Sequence, residues 1–197
     1  DDEASRLLFY RNFYDPYARE WQNGNSRWDL IDVVRAFYAL RPEGINWPMK
    51  ADGSPSFKLE DLTAANGISH GNAHDALADV EATIALAKLL KQAQPKLFEY
   101  LFANKGKQQV ANFYAQQTGK PFLHISSRFS AKRGCAALVY PVAQHATNAN
   151  ATLVFDLTAN PQALATLTVE EIQARVITST AALEAQGLER LPLKLIH

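Results

Sequence analysis

A histidine and an aspartate five residues apart, His74 and Asp79, are the residues of this sequence best suited to proton transfer and metal binding. An imidazole can accept a proton near neutral pH, and a carboxylate is a ligand that hard divalent ions prefer. Five residues turn an α-helix by about 140°, so the two side chains do not share one helix face. They can converge on one ion or water if His74 lies on the entry turn of the helix.

The residues around this pair predict the helix that positions it. Asn72 is a favourable N-cap, and the alanines that follow it favour helix up to Leu90. Their small side chains would let another backbone approach closely. The same residues also fit a capped amphipathic helix without a chemical role, in which Asp75 interacts with the helix dipole and His74 is merely exposed.

The composition is that of an ordinary globular protein. The chain has 197 residues, 47% of them hydrophobic and 20% charged, which suffices for one large domain or two small ones. No run is apolar enough to span a membrane, and the first residues do not have the pattern of a signal peptide. The single cysteine, Cys135, cannot form an intramolecular disulfide and suits a reducing cytoplasm. Because the chain begins Asp1-Asp2-Glu3 without a methionine, we expect an internal piece of a longer protein.

Charge is distributed unevenly although the formal net charge is zero. Up to Gln94 there are 10 lysines and arginines against 14 acidic residues, and from Pro95 onward there are 10 against 6. Seven basic residues and one acid, Glu99, lie between Lys96 and Arg133. An acidic part followed by a basic stretch suggests metal chemistry on a polyanion, although a solvated basic face would produce the same counts.

The hydrophobic pattern divides the chain into a mostly helical part and a β-rich part. Helices are predicted over residues 1–21, interrupted at Asp15-Pro16, over 28–38, over 57–66 and over about 108–117. A capping box at residues 168–171 predicts another helix, which ends at about residue 177. The β-rich runs are residues 122–126, 135–142, 151–157 and 191–196.

Aromatic and basic residues are mixed in the first 21 residues. Phe9 and Phe13, four residues apart, are expected in a hydrophobic core. Single-stranded bases stack on exposed rings while basic side chains pair with phosphates. An aromatic core with arginines at its edge would explain the same composition. The residues that we expect to face a ligand are Arg6, Tyr17 and Trp21.

Several stretches resemble a known nuclease family. Residues 72–79, NAHDALAD, resemble the His-x-Ala-x-x-Asp motif of the DEDDh exonucleases, which have a ribonuclease-H-like fold. Three longer strings closely resemble the bacterial exodeoxyribonuclease I family, which degrades single-stranded DNA from the 3′ end. These strings are FYRNFYDPY at 9–17, NSRWDL at 25–30 and ALRPEGINWP at 39–48. A looser similarity continues through residues 191–195.

The resemblance implies an α+β fold with two domains. Residues 1–94 would form the C-terminal, mostly helical part of a ribonuclease-H-like exonuclease domain, and residues 95–197 an incomplete Src-homology-like β-barrel domain. The implied activity is single-strand-specific 3′–5′ exodeoxyribonuclease action that releases 5′-mononucleotides in DNA repair and recombination. The implied partners are single-stranded DNA and single-strand-binding protein, without a membrane, for a cytoplasmic monomer.

By position, the resemblance makes His74 the general base toward the attacking water and makes Asp79 and Asp1 metal ligands. Two Mg²⁺ ions, or Mn²⁺ in their place, would activate the water and stabilise the leaving oxygen. The family's first motif, an Asp-x-Glu pair on a strand, would lie well upstream of Asp1. We therefore expect the 197-residue chain alone to bind metal weakly and to be inactive.

The implied DNA path follows a basic groove between the two domains. Lys58 stands where the family has an arginine, and a lysine cannot make a bidentate phosphate contact. The DNA-binding candidates are Arg6, Tyr17, Trp21, Arg35 and Lys58 in the helical part, with Tyr100 and Lys107 at the domain junction.

Three other interpretations stay open. His74-Asp75 is also the dipeptide of HD-type metal phosphohydrolases, but those need further histidines on neighbouring helices. A DEDDh ribonuclease or proofreading exonuclease would share His74 and Asp79 but lacks a basic barrel-like half. A non-catalytic module would bind single-stranded DNA without a complete metal site. The other histidines of the chain are His70, His124, His145 and His197.

Overall fold

We describe the fold from a computed structural model, which covers residues 2–69, 76–117, 119–148 and 151–196. The first part is helical. Between α1 and α2 the chain makes two short 3₁₀ turns, Ala18–Glu20 and Gln22–Gly24. The helices are α1 (Asp2–Arg11), α2 (Leu30–Leu40), α3 (Leu59–Ala65), α4 (Ala76–Ala93), α5 (Pro95–Ala103) and α6 (Lys107–Gln116).

The core of the helical part lies between α2, α3 and α4. Phe37, Leu62 and Leu90, one from each helix, are almost completely buried. Burial of such side chains removes apolar surface from water, which is the main source of stability for a helix packed by one face. Helix α5 follows the predicted domain division after residue 94, yet it packs on this core: the Phe98 ring lies edge-on to Trp28 at 5.4 Å.

The second part contains an antiparallel sheet whose strands are adjacent in the order β1-β2-β3-β4. The register places Val139 opposite both Phe122 and Asp156. The β2–β3 register shifts between Pro141 and Ala143, where proline cannot donate a ladder hydrogen bond. The strands are β1 (Phe122–Ile125), β2 (Ala136–Gln144), β3 (Thr152–Asp156) and β4 (Leu193–Ile196).

Helices cover parts of both faces of the sheet. On one face Val139 and Val154 pack with Phe122, and Tyr114 of α6 lies edge-on to the Phe122 ring at 5.3 Å. On the other face Phe155 packs against apolar residues of the segment between β3 and β4. That segment contains α7 (Gln162–Thr166), α8 (Val169–Ile177) and α9 (Thr180–Glu184).

The predicted order, a helical part followed by a β-rich part, is confirmed. The capping box is present as predicted: Thr168 Oγ1 accepts from the Glu171 amide at 3.3 Å, and Glu171 Oε2 accepts from the Thr168 amide at 2.8 Å. Within the described ranges, no helix is both long and apolar enough to cross a membrane.

The expectation for the first helix was wrong in two details. Helix α1 ends at Arg11, before Asp15-Pro16, and Phe13 has a φ of +62°. Phe13 is 99% exposed and so does not belong to a core. Phe9 is only partly buried and lies edge-on to Tyr14 at 6.3 Å. Four-residue spacing predicts that two side chains share one helix face. It does not predict whether another element packs on that face.

Candidate active site and DNA interface

Asp79, a predicted metal ligand, lies in the first described turn of α4 and is partly buried. A carboxylate near a helix N-terminus interacts favourably with the helix dipole. One turn later, the Thr83 hydroxyl donates a hydrogen bond to the backbone carbonyl of Asp79 at 2.7 Å. Asp79 is thus held on a regular helix at one end of the helical core.

The other two predicted active-site residues, His74 and Asp1, lie outside the described residues. Their predicted roles as base and ligand are therefore untested. In the part of the chain that the structure describes, no three His, Cys, Asp or Glu side chains are grouped closely enough to hold a metal ion. The described residues alone therefore do not fit a two-metal site.

Two predicted DNA contacts, Arg6 of α1 and Tyr17, contact each other, and a third, Trp21, follows four residues after Tyr17. The Arg6 guanidinium bonds the Glu20 carboxylate at 2.8 Å and lies over the Tyr17 ring at 4.8 Å from its centre. The hydrogen bond with Glu20 raises the pKa of Arg6. Tyr17 is 52% exposed and Trp21 is 60% exposed, so both rings present surface on which a base could stack.

The segment that carries these rings is tied to the first turn of α1 by residues that the sequence analysis missed. We call residues 12–27, which return along α1, the return segment. The Asp2 carboxylate is paired with Arg19 at 3.2 Å and also with Arg27. These partners are 17 and 25 positions away in the chain, and no local spacing rule relates residues so far apart. A charge count could have found the residues but not their pairing.

Arg35 is placed differently from the other candidates. Only 15% of its side chain is exposed, its guanidinium pairs with Asp32 at 2.7 Å, and its Nε is buried without a hydrogen-bond partner among the described residues. Burial raises the pKa of the Cys135 thiol, and the nearby Arg35 opposes that change. Burial also lowers the pKa of His124 on β1, against the effect of Asp32. Arg35 therefore lies where α2 meets the sheet.

The remaining candidates are exposed. Lys58 precedes α3, and its ammonium group lies 3.3 Å from the Glu60 carboxylate. It lines a cavity of about 450 Å³ together with Arg27 and Trp28. Tyr100 is exposed on α5, and Lys107 is the first residue of α6 and is exposed. The structure thus groups the candidates of α1 and its return segment, and places Tyr100 and Lys107 on successive helices.

Comparison with known proteins identifies relatives of this chain. Residues 105–197 match the exonuclease I SH3-like domain. All 197 residues align with exodeoxyribonuclease I of Haemophilus influenzae at 52% identity and with that of Escherichia coli at 51%. The chain belongs to the exodeoxyribonuclease I family. It spans 42% and 41% of the length of those two relatives.

Solved structures of exonuclease I match this chain over its whole length. The matched region is 42% of the length of each of those enzymes. The E. coli enzyme in complex with a dA16 oligonucleotide gives a TM-score of 0.89 at 51% identity. A zinc-bound E. coli complex with single-stranded DNA gives 0.87, and an exonuclease I–SSB-Ct complex gives 0.86, both at 50% identity. These likenesses confirm the predicted α+β fold class and the predicted family.

The matched SH3-like domain begins at Lys105, two residues after α5 ends. Helix α6 packs on the sheet, whereas α5 packs on the helical core. The predicted division after residue 94 stays a prediction.

Proposed function

We propose that this chain is part of a single-strand-specific 3′–5′ exodeoxyribonuclease that releases 5′-mononucleotides in DNA repair and recombination. The observation that carries the proposal is the likeness of the whole chain, at half of its residues, to exonuclease I bound to an oligonucleotide. The exposed Tyr17 and Trp21 rings support it, because base stacking requires an accessible ring. Ribonuclease and proofreading alternatives lack the SH3-like domain that residues 105–197 match.

In the proposed reaction His74 accepts the proton of the attacking water, for which an imidazole is suited near neutral pH. Asp79 and Asp1 would hold divalent metal, Mg²⁺ in the first place with Mn²⁺ as a substitute. Bound metal would supply stabilisation of the negative charge that develops on the phosphate. Since Asp79 does not belong to a group of three potential ligands within the described ranges, further carboxylates must complete the site.

For the substrate we propose stacking on Tyr17, Trp21 and Tyr100 and phosphate pairing by basic side chains. Lys107 is exposed at the start of α6 and is free to follow a phosphate. Arg35 would have to act through the small part of its side chain that is exposed. The proposed phosphate contacts are Arg6, Arg35, Lys58 and Lys107.

The exonuclease I–SSB-Ct complex supports single-strand-binding protein as a second partner. We further propose a cytoplasmic monomer, since DNA processing of this kind requires access to the chromosome and the family suggests one subunit.

Two substitutions separate stacking from phosphate pairing. Trp21→Ala should weaken binding of a fluorescent oligothymidylate by about 1–3 kcal/mol, with the dependence on salt unchanged, because a stacked base releases no counterion. Lys107→Ala should reduce the slope of log affinity against log salt by about 1, because one phosphate contact is lost. The measurement is fluorescence anisotropy over a salt series.

The control is Lys88→Ala, which removes an exposed lysine of α4 that is not a proposed contact. With Lys88→Ala, the slope of log affinity against log salt should stay closer to the parent value than it does with Lys107→Ala. Failure of the parent chain to bind the oligothymidylate would contradict the proposal.

A further inference from the structure

The return segment has few apolar contacts to hold it in place before Trp28, which packs on the helical core. None of its residues is buried, and neither is any residue of α1. Its backbone makes two short 3₁₀ turns, and the Asn25 amide group donates to the Arg19 carbonyl at 3.1 Å. A segment without buried apolar surface depends on polar contacts for its position.

Those polar contacts reach α1 at two levels. Glu20 pairs with Arg6 in the middle of the helix, whereas Arg19 and Arg27 pair with Asp2 in its first turn. One carboxylate therefore receives two guanidinium groups, one from the middle and one from the end of the return segment. A single exposed ion pair contributes little to stability, but several charges in a network hold geometry better than isolated pairs.

We propose that Asp2 is a positioning residue that holds Tyr17 and Trp21 in place for single-stranded DNA. The inference rests on the proposed function, since it assumes that these rings stack on bases. In the sequence Asp2 directly follows Asp1, the proposed metal ligand. Because both of its arginine partners occupy the Asp2 carboxylate, Asp2 acts on the segment and not as a further metal ligand.

Charge and geometry predict opposite effects of one substitution. Asp2→Asn removes a negative charge, which by electrostatics alone should strengthen binding of a polyanion. If Asp2 positions the rings, the same substitution frees Arg19 and Arg27, loosens the segment and weakens binding. The matched control is Glu3→Gln, which removes the same charge from the same turn, at an exposed residue for which the described structure has no ion pair.

The experiment measures oligothymidylate affinity of the 197-residue chain by fluorescence anisotropy at low salt. We expect Asp2→Asn to bind about threefold or more weakly than Glu3→Gln, the size expected when two exposed ion pairs are lost. The difference should shrink at high salt, which screens exposed pairs in the parent as well. Asp2→Glu, which keeps the charge, should restore most of the affinity.

A second measurement needs no DNA. Hydrogen exchange of residues 12–27 should be faster in Asp2→Asn than in Glu3→Gln, because the segment opens more often when its anchor is lost. Equal exchange and equal affinity in the two variants would overturn the role of Asp2 while leaving the proposed function intact. A parent chain that does not bind the oligothymidylate would overturn the proposed function and, with it, the purpose assigned to Asp2.

Discussion

At the scale of single residues, the pair Arg133 and Asp156 shows how a buried charge is stabilised in the sheet. Burial tends to raise the pKa of Asp156, but hydrogen bonds from Arg133 and Thr158 outweigh it and lower that pKa. The Arg133 guanidinium lies 2.6 Å from the Asp156 carboxylate. Arg133→Met should therefore reduce the free energy of unfolding by about 1–3 kcal/mol, because a nearly buried carboxylate loses a partner. Urea titration at pH 7 measures this, with exposed Lys132→Met as the control.

The same pair predicts a dependence on pH. Because the pKa of Asp156 is lowered in the folded chain, its stabilisation is present above the ordinary value of about 3.9 and is lost as pH falls through the folded value. Arg133→Met has less of this stabilisation to lose. The difference in urea midpoint between parent and variant should therefore narrow as the pH is lowered from about 4 to about 2. A difference that stays constant over that range would contradict the assignment.

At the scale of elements, the loop before β2 packs closely against the end of α2. Gly134 has a φ of +66°, and a Cβ there would lie 2.9 Å from the Cβ of Ala39 and 3.0 Å from a ring carbon of Tyr38. Gly134→Ala would therefore impose both backbone strain and overlap with α2. We expect Gly134→Ala to lower the free energy of unfolding by about 1–3 kcal/mol more than backbone strain alone would, because that is the usual penalty of overpacking.

The chain offers a matched control for this substitution. Gly187 has a φ of +67°, and a Cβ there would meet nothing within 4 Å. Gly187→Ala should cost only the strain of a left-handed residue, about 1–2 kcal/mol. Comparing the urea midpoints of the two variants separates the cost of overlap with α2 from the cost of backbone strain. If the two variants lose the same stability, a Cβ at position 134 does not overlap with α2.

At the scale of the whole molecule, the chain aligns over its full length with exodeoxyribonuclease I but spans only about two fifths of those relatives. We expect no appreciable Mg²⁺-dependent release of mononucleotides from single-stranded DNA by the purified 197-residue chain. The reason is that two-metal hydrolysis needs clustered carboxylates, and the proposed ligands Asp1 and Asp79 would supply only two of the four that the family resemblance implies. Release of mononucleotides is followed from end-labelled DNA.

E. coli exonuclease I under the same conditions is the positive control for this assay. His74→Ala identifies contamination, because activity that survives the loss of the proposed base does not belong to this chain. Robust release that depends on both Mg²⁺ and His74 would show that the chain completes a metal site by itself.

Much of the fold is determined by local sequence. The capping box at Thr168 and Glu171 and the strand at residues 122–125 were predicted because each depends on neighbouring residues. The family resemblance likewise comes from contiguous strings. Phe13 was predicted wrongly because spacing predicts a shared helix face but not what covers it.

Only the tertiary structure decided which distant residues meet. The pairing of Asp2 with Arg19 and Arg27, the burial of Arg35 against the sheet and the contact of Gly134 with α2 each join separate elements. Charge, burial and clearance at such places depend on how elements pack, which no local spacing rule contains. By itself, the sequence determined the family, most of the elements and the residue types of the candidate site. Packing decided which of the proposed DNA contacts remain exposed.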